Sequence, residues 1–102
     1  MLTKAQVCNE IADILEVSYV DRFPDTYNGE HCALTALDHV TNPFLGNQSG
    51  VDVHQAIWAD LERISEEAGY NGGISSWSDN SGKEVVVTTF RELAKNAASH
   101  RN

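Results

Sequence analysis

Apolar side chains recur every three or four residues in four stretches of the chain, which is the spacing of helices that bury one face. The pattern predicts helices over about residues 4–19, 30–41, 53–68 and 82–99. Thr3 with Gln6, and Asp52 with Gln55, have the spacing of a capping box at the starts of the first and third helices. The sequence therefore predicts an all-α fold, a compact bundle of about four helices in a single domain over residues 1–102. The first, third and fourth helices are expected to make the main packing, with the second close against them.

Ordered loops are expected between these helices. In residues 21–29, Pro24 interrupts the helical pattern, and Phe23 and Tyr27 are expected to be buried because two aromatic side chains in so short a stretch favour packing. Residues 43–51 are rich in Gly, Asn, Gln and Ser and predict a second loop. Gly69 is a natural stop for the third helix.

A third loop is predicted over residues 70–80, and it contains a tryptophan. Asp79 and its neighbour favour a turn held by side-chain hydrogen bonds, and Ser81 with Glu84 has capping-box spacing at the start of the last helix. Trp77 is then either a plug of the core or a partly exposed anchor for a partner, since tryptophan is over-represented among residues that dominate binding energy. The plug is the preferred interpretation, and the anchor stays open.

Composition and charge narrow the functional classes. Apolar residues make up 41% of the chain, which is enough for a packed core, and the formal net charge is −8. Residues 1–82 carry −10 of this charge and residues 83–102 carry +2. An acidic body repels phosphate backbones, so direct nucleic-acid binding is disfavoured. The charge is compatible with a partner that has a basic surface, and solubility alone is the simpler interpretation. The chain has no apolar leader and no membrane-length apolar run, and a cytoplasmic protein without membrane contact is expected.

Cys32 is the first candidate for catalysis. A helix that starts near residue 30 would place it in the first turn, where free N–H groups lower a thiol pKa, and His54 from the next helix is the candidate base. Cys32 also lies on the apolar stripe of its helix, so an inert buried cysteine is the preferred interpretation. No Cys-x-x-Cys or His-x-x-x-His pair occurs, and neither a metal nor a cofactor is expected.

Acidic residues concentrate around Arg63 on the third predicted helix. A solvated helix face is the simplest interpretation. The same charges would also suit an acidic docking surface, or a mimic of nucleic acid if their spacing matched that of phosphates. The candidate binding residues lie on this helix and in the tryptophan segment, and they are Asp60, Glu62, Glu66, Glu67, Trp77 and Asp79.

Two short motifs stand out, Cys-Ala-Leu-Thr-Ala-Leu at residues 32–37 and Ile-Ser-Ser-Trp-Ser-Asp at residues 74–79. With them the chain resembles a family of small helical proteins of unknown function in actinobacteria and their phages. Members carry Cys-Ala-x-x-Ala-Leu on an early helix and Ile-x-x-Trp-Asn-Asp before a last helix that ends in Ala. Here Ser78 stands where Asn is usual, and Thr35 where Gly is usual. The resemblance implies a phage or prophage accessory protein in a bacterial cytoplasm and supplies no catalytic residues.

These observations predict a small acidic interaction protein without enzymatic activity, which binds a host or phage protein. Two alternatives stay open. One is a small thiol enzyme that uses Cys32 and His54, and the other is an acidic nucleic-acid mimic that blocks a DNA-binding protein. The oligomeric state also stays open, with a homo-oligomer among the options.

Overall fold

Helices account for most of the computed structural model, which describes residues 2–99. The five α-helices are α1 (Lys4–Ser18), α2 (Ala33–Thr41), α3 (Gln48–Glu67), α4 (Gly73–Ser81) and α5 (Lys83–Ser99). Single turns of 3-10 helix lie at Thr26–Asn28 and Asn42–Phe44. Residues 1 and 100–102, which belong to the predicted 1–102 domain and include Arg101 of its basic end, lie outside the described range. The all-α prediction is confirmed, but the predicted count of about four helices misses α4.

The start of α1 agrees with its predicted capping box. The Gln6 N–H donates to Thr3 Oγ1 at 3.1 Å, and the Thr3 N–H donates to Gln6 Oε1 at 3.1 Å. The helix ends at Ser18 because Tyr19 is extended and forms an isolated parallel bridge with His31. Between these ends α1 buries one apolar face made of Val7, Cys8, Ile11, Ala12 and Leu15.

The largest helix interface joins α1 to α5, and α2 also packs against α1. α3 contacts mainly α4 and α2, which differs from the predicted packing of the first, third and last helices. Polar contacts reinforce the α1–α5 interface. Arg91 Nη2 lies 2.6 Å from Asp13 Oδ1 and 2.8 Å from Glu16 Oε1, and Lys83 Nζ donates to the Glu16 carbonyl at 3.1 Å. Part of the positive charge near the C-terminus is therefore neutralised by acids of α1.

The second helix starts later than predicted, at Ala33 rather than near residue 30. The cause is the bridge between Tyr19 and His31, in which the His31 N–H donates to the Ser18 carbonyl at 3.0 Å. Cys32 is extended and occupies the N-cap position of α2. Cys32 therefore lies just before the first turn of α2, whereas the sequence predicts it within that turn.

The third helix starts earlier than predicted, at Gln48 rather than near residue 53. Asn47 is its N-cap and accepts a hydrogen bond from the Gly50 N–H at 3.1 Å. Asp52, the predicted cap, lies inside the helix and accepts from Gln48 Nε2 at 2.8 Å. A Cβ at Gly50 would lie 1.9 Å from the Phe44 carbonyl oxygen, so glycine here allows α3 to pack against the preceding turn. Part of the segment predicted as a loop is therefore helical.

The predicted third loop is largely α4. Ile74, Trp77 and Ser78 are buried, and their spacing is that of one helical face. Ser78 connects α4 to two other parts of the fold, since its Oγ accepts from the Ala33 N–H at 3.1 Å and its carbonyl accepts from the Tyr19 hydroxyl. The tryptophan segment is thus an integral element of the core.

A single glycine separates α4 from α5. Gly82 has φ +90°, which favours glycine, and it ends α4 after Ser81. Ser81 is therefore the last residue of a helix and not the predicted cap of the next one. The predicted turn at Asp79 is also wrong, because its neighbour Asn80 is helical and donates to the Ser76 carbonyl at 2.8 Å.

The loop over residues 21–29 is ordered, but its aromatic side chains are not buried. Phe23 is 91% exposed and Tyr27 is 99% exposed, whereas Pro24 is buried. Polar contacts hold the loop, chiefly two hydrogen bonds of 2.7 Å from the Arg22 guanidinium to the Glu30 carboxylate. These contacts lower the pKa of Glu30 to about 2. The expected burial of the aromatics is wrong because the loop does not depend on them for order.

Candidate functional site

The two tryptophans have different environments. Trp77 is only 2% exposed, which favours the core plug over the partly exposed anchor. Asp79 is partly exposed at the end of the same helix. Trp58, which belongs to the solvent edge of α3, is 37% exposed. A partner could therefore contact Trp58 but not Trp77.

The acids of α3 differ in whether the fold neutralises them. The four that the sequence predicts as binding residues are Asp60, Glu62, Glu66 and Glu67. Asp60 pairs with Lys4 of α1 and lies 3.7 Å from Arg63 Nη2, while Glu67 lies 3.4 Å from Arg63 Nη1. Within residues 2–99, no hydrogen bond or ion pair reaches the carboxylates of Glu62 and Glu66. These two are the acids left for a partner.

Glu62 and Glu66 border a groove of 480 Å³ between α3 and the start of α4. Trp58 precedes Glu62 by four residues, so all three side chains lie on one ridge of α3. We call this feature the α3–α4 groove. Its full lining is Leu34, Trp58, Glu62, Glu66, Tyr70, Asn71, Gly72, Gly73, Ile74 and Ser75.

The turn after α3 brings Tyr70 to the groove. Gly69 has φ +87° and its N–H donates to the Glu66 carbonyl, while the Tyr70 N–H donates to the Ser65 carbonyl, both at 3.0 Å. These two bonds form a Schellman motif, which ends the helix at the predicted glycine and reverses the chain. A Cβ at Gly72 would lie 2.7 Å from the Ser76 side chain, so glycine here allows the turn to pack closely against α4.

His54 holds the Trp58 ring in one orientation. The two ring centroids are 6.2 Å apart and the planes are inclined by 26°. His54 Nδ1 lies 2.9 Å from Thr41 Oγ1, and that hydroxyl donates its proton to the Leu37 carbonyl at 2.8 Å. Because Thr41 has only one hydroxyl proton, His54 must donate through Nδ1. A chain of contacts that reaches the core therefore orients the exposed indole.

Cys32 and His54 lie at opposite ends of α2. Cys32 caps its start, whereas His54 contacts Thr41 at its end. The nine residues of this helix rise by about 13 Å, which is too far for direct proton transfer. The Cys32 thiol instead lies 3.8 Å from Thr35 Oγ1. The geometry does not support the predicted catalytic pair. Cys8 is buried in the core, and burial raises the pKa of its thiol to about 12.

A second, polar cleft of 530 Å³ lies beside α2, with Thr35, Asp38 and two histidines in its wall. The His31 and His39 ring centroids are 5.2 Å apart. Burial, and then the neighbouring His39, lower the pKa of His31 from its ordinary 6.5. Within residues 2–99, no group of three or more His, Cys, Asp or Glu side chains is arranged to hold a metal ion.

The sequence identifies only part of the α3–α4 groove. It predicts Glu62 and Glu66 as binding residues, but Trp58 is not among the predicted binding residues and Tyr70 falls in a predicted loop. The signal for Trp58 was present, since residues 58, 62 and 66 have the four-residue spacing of one helical ridge. For Tyr70 the signal was weaker, because its position depends on the turn at Gly69.

Comparison with protein-family models, with curated proteins and with solved structures finds no match to this chain. In the part of the chain that the structure describes, no helix combines the length and the apolar character needed to cross a membrane. The geometry and charge of the α3–α4 groove identify it as the candidate site.

Proposed function

We propose that this chain is a small acidic interaction protein without catalytic activity, which binds a partner protein with a basic surface through the α3–α4 groove. One observation carries the proposal. Glu62 and Glu66, which no described side chain neutralises, border a groove that also contains the exposed Trp58 and the half-buried Tyr70.

The charge of the groove favours a cationic partner. Two like charges four residues apart on a helix repel each other by about 0.2–0.5 kcal/mol, so Glu62 and Glu66 slightly destabilise the free protein. A bound cation would remove that repulsion. The net charge of −8 acts in the same direction, because it attracts a basic surface before contact is made.

The aromatic side chains of the groove favour a protein partner over a free ion. Tryptophan and tyrosine are enriched among interface residues that contribute most to affinity. Trp58 is already oriented by His54, so binding costs little further side-chain entropy at this position. A partner would therefore meet an ordered aromatic surface next to two carboxylates.

We further infer that the partner is a host or phage protein in a bacterial cytoplasm. The support is the resemblance of residues 32–37 and 74–79 to small proteins of actinobacteria and their phages. Both motifs contribute to the fold, since Trp77 is in the core and Ser78 bonds to Ala33. The resemblance thus concerns mainly the scaffold, although Leu34, Ile74 and Ser75 of the two motifs also line the groove.

The other two hypotheses have less support. A thiol enzyme would need a base beside Cys32, and α2 separates that residue from His54. A nucleic-acid mimic would need a longer array of free acids, and the fold neutralises Asp60 and Glu67 on the same helix.

Affinity capture with a matched pair of variants tests the proposal. Glu62→Gln/Glu66→Gln removes the two groove charges, and Glu10→Gln/Glu92→Gln removes two charges from exposed positions of α1 and α5. Each immobilised protein is incubated with lysate of an actinobacterial host, and the captured proteins are identified by mass spectrometry. We expect the wild type and the control variant Glu10→Gln/Glu92→Gln to capture the partner. We expect the groove pair, Glu62→Gln/Glu66→Gln, to lose it.

Salt provides the second criterion. The partner is expected to elute as NaCl rises from about 0.1 M to about 1 M, because the Debye length falls from about 10 Å to about 3 Å. Equal retention of the same protein by the groove pair and by the wild type would show that the groove is not the binding site.

A further inference from the structure

We propose that the α3–α4 groove recognises an arginine side chain of the partner, with the guanidinium against the Trp58 indole and its edges directed at Glu62 and Glu66. This inference rests on the proposed function and specifies what the groove binds. It depends on how the aromatic and acidic side chains are placed relative to one another.

The indole supplies a flat surface of fixed orientation. His54 stacks on Trp58 with planes inclined by 26°, and His54 is itself held by Thr41. Trp58 is 37% exposed and lines the groove. A guanidinium is planar and weakly hydrated, so it stacks on such a surface, whereas an ammonium is a compact and strongly hydrated charge.

The carboxylates are spaced for a forked donor. Glu62 and Glu66 are one helical turn apart, with about 5–6 Å between their Cβ atoms. A guanidinium has five N–H donors on two edges of one plane, and it can pair with two carboxylates while its face remains on an aromatic ring. An ammonium at the same place would have to leave either the indole or one of the acids.

The fold keeps its own arginine out of the groove. Arg63, which follows Glu62 in the chain, points towards Asp60 and Glu67 instead. No Lys or Arg is among the described residues that line the groove. Within residues 2–99, the chain therefore supplies no cation of its own to this groove.

NMR titration with short capped peptides tests the inference. The peptides contain one arginine, one lysine or one citrulline between glycines, and citrulline keeps the shape of arginine without its charge. The readout is the indole N–H signal of Trp58, which is assigned with Trp58→Phe and distinguished from that of the buried Trp77. The arginine peptide is expected to shift this signal saturably, with the lysine peptide about three- to tenfold weaker and the citrulline peptide without effect.

The matched variants complete the design. Glu62→Gln/Glu66→Gln is expected to abolish the shift, and Glu10→Gln/Glu92→Gln to leave it unchanged. Equal binding of the lysine and arginine peptides, or no Trp58 shift with arginine at millimolar concentration, would overturn the arginine assignment. The proposed function has its own criterion, which is loss of the captured partner with the groove pair. The two proposals can therefore fail separately.

Discussion

Truncation of Trp77 to alanine tests the assignment of this residue to the core. Trp77 is 2% exposed and belongs to the same buried cluster as Leu37, Ile57 and Phe90. Removing an enclosed aromatic side chain costs about 3–5 kcal/mol, because the lost contacts and the cavity both destabilise the fold. The total free energy of unfolding of a domain of this size is about 5–15 kcal/mol, so the loss is a large share of it.

Trp58→Ala is the matched control, because the same atoms are removed from a residue at the edge of a groove. No closed cavity forms there, since the ring borders solvent, and the expected cost is about 1–2 kcal/mol of lost apolar contact. Each kcal/mol lowers the Tm of a domain of this size by about 4–8 °C, so Trp77→Ala should unfold at least about 10 °C below the wild type.

Urea unfolding followed by circular dichroism measures both free energies. A cost for Trp77→Ala below about 2 kcal/mol, or no greater than that for Trp58→Ala, would refute the core assignment. If Trp77→Ala does not fold, Trp77→Phe is the substitute. This variant keeps an aromatic ring in the core and should still lower the free energy of unfolding more than Trp58→Phe does. The reverse order would also refute the core assignment.

Four further results are expected. Thr3→Ala should lower the free energy of unfolding by about 0.5–2 kcal/mol in urea titration, because it removes the capping box of α1. Gly50→Ala should lower the Tm by several degrees more than Gly46→Ala, whose added methyl group meets open space. In the Cys32→Ser variant, Cys8 should react with a thiol reagent at neutral pH only on unfolding, because burial raises its pKa to about 12. His31 has a pKa below 6.5 in the folded state, so the unfolded chain binds more protons as pH falls through 6.5. The urea concentration at the midpoint of unfolding should therefore decrease as the pH is lowered below 6.5. If the midpoint of His31→Gln depends on pH in the same way, His31 is not the cause.

Local signals in the sequence predict the ends of some helices well. Thr3 and Gln6 mark the start of α1, and Gly69 marks the end of α3, because these residues satisfy or terminate backbone hydrogen bonds close by in the chain. The last helix was also predicted despite the strand propensity of residues 85–90, since its apolar positions continue at helical spacing. Such features depend only on residues that are close together in the chain, so they can be read directly from the sequence.

Features that depend on distant contacts were not predicted. α4 lies between Gly73 and Gly82, and its polar residues resemble those of a turn, but burial of Trp77 against the other helices favours the helix. The exposure of Phe23 and Tyr27 has a similar explanation, because the contact between Arg22 and Glu30 orders the loop without them. The groove needed both kinds of information: Glu62 and Glu66 follow from the charge pattern, whereas the availability of Trp58 depends on how α3 packs.

The distribution of positive charge determines how the proposed partner would be attracted to the groove. Residues 2–99 contain six lysines and arginines, and five of them have partners within the fold, namely Lys4, Arg22, Arg63, Lys83 and Arg91. The acids outnumber them, so the surface keeps a negative excess that attracts a basic protein from a distance, while Trp58 acts only after contact. Long-range attraction changes mainly the association rate, and short-range packing changes mainly the dissociation rate. For the captured partner, Glu62→Gln/Glu66→Gln should therefore reduce both the association rate and its dependence on salt. Trp58→Ala should leave that dependence unchanged and speed dissociation. If both variants changed only the dissociation rate, the negative excess would have no part in bringing the partner to the groove.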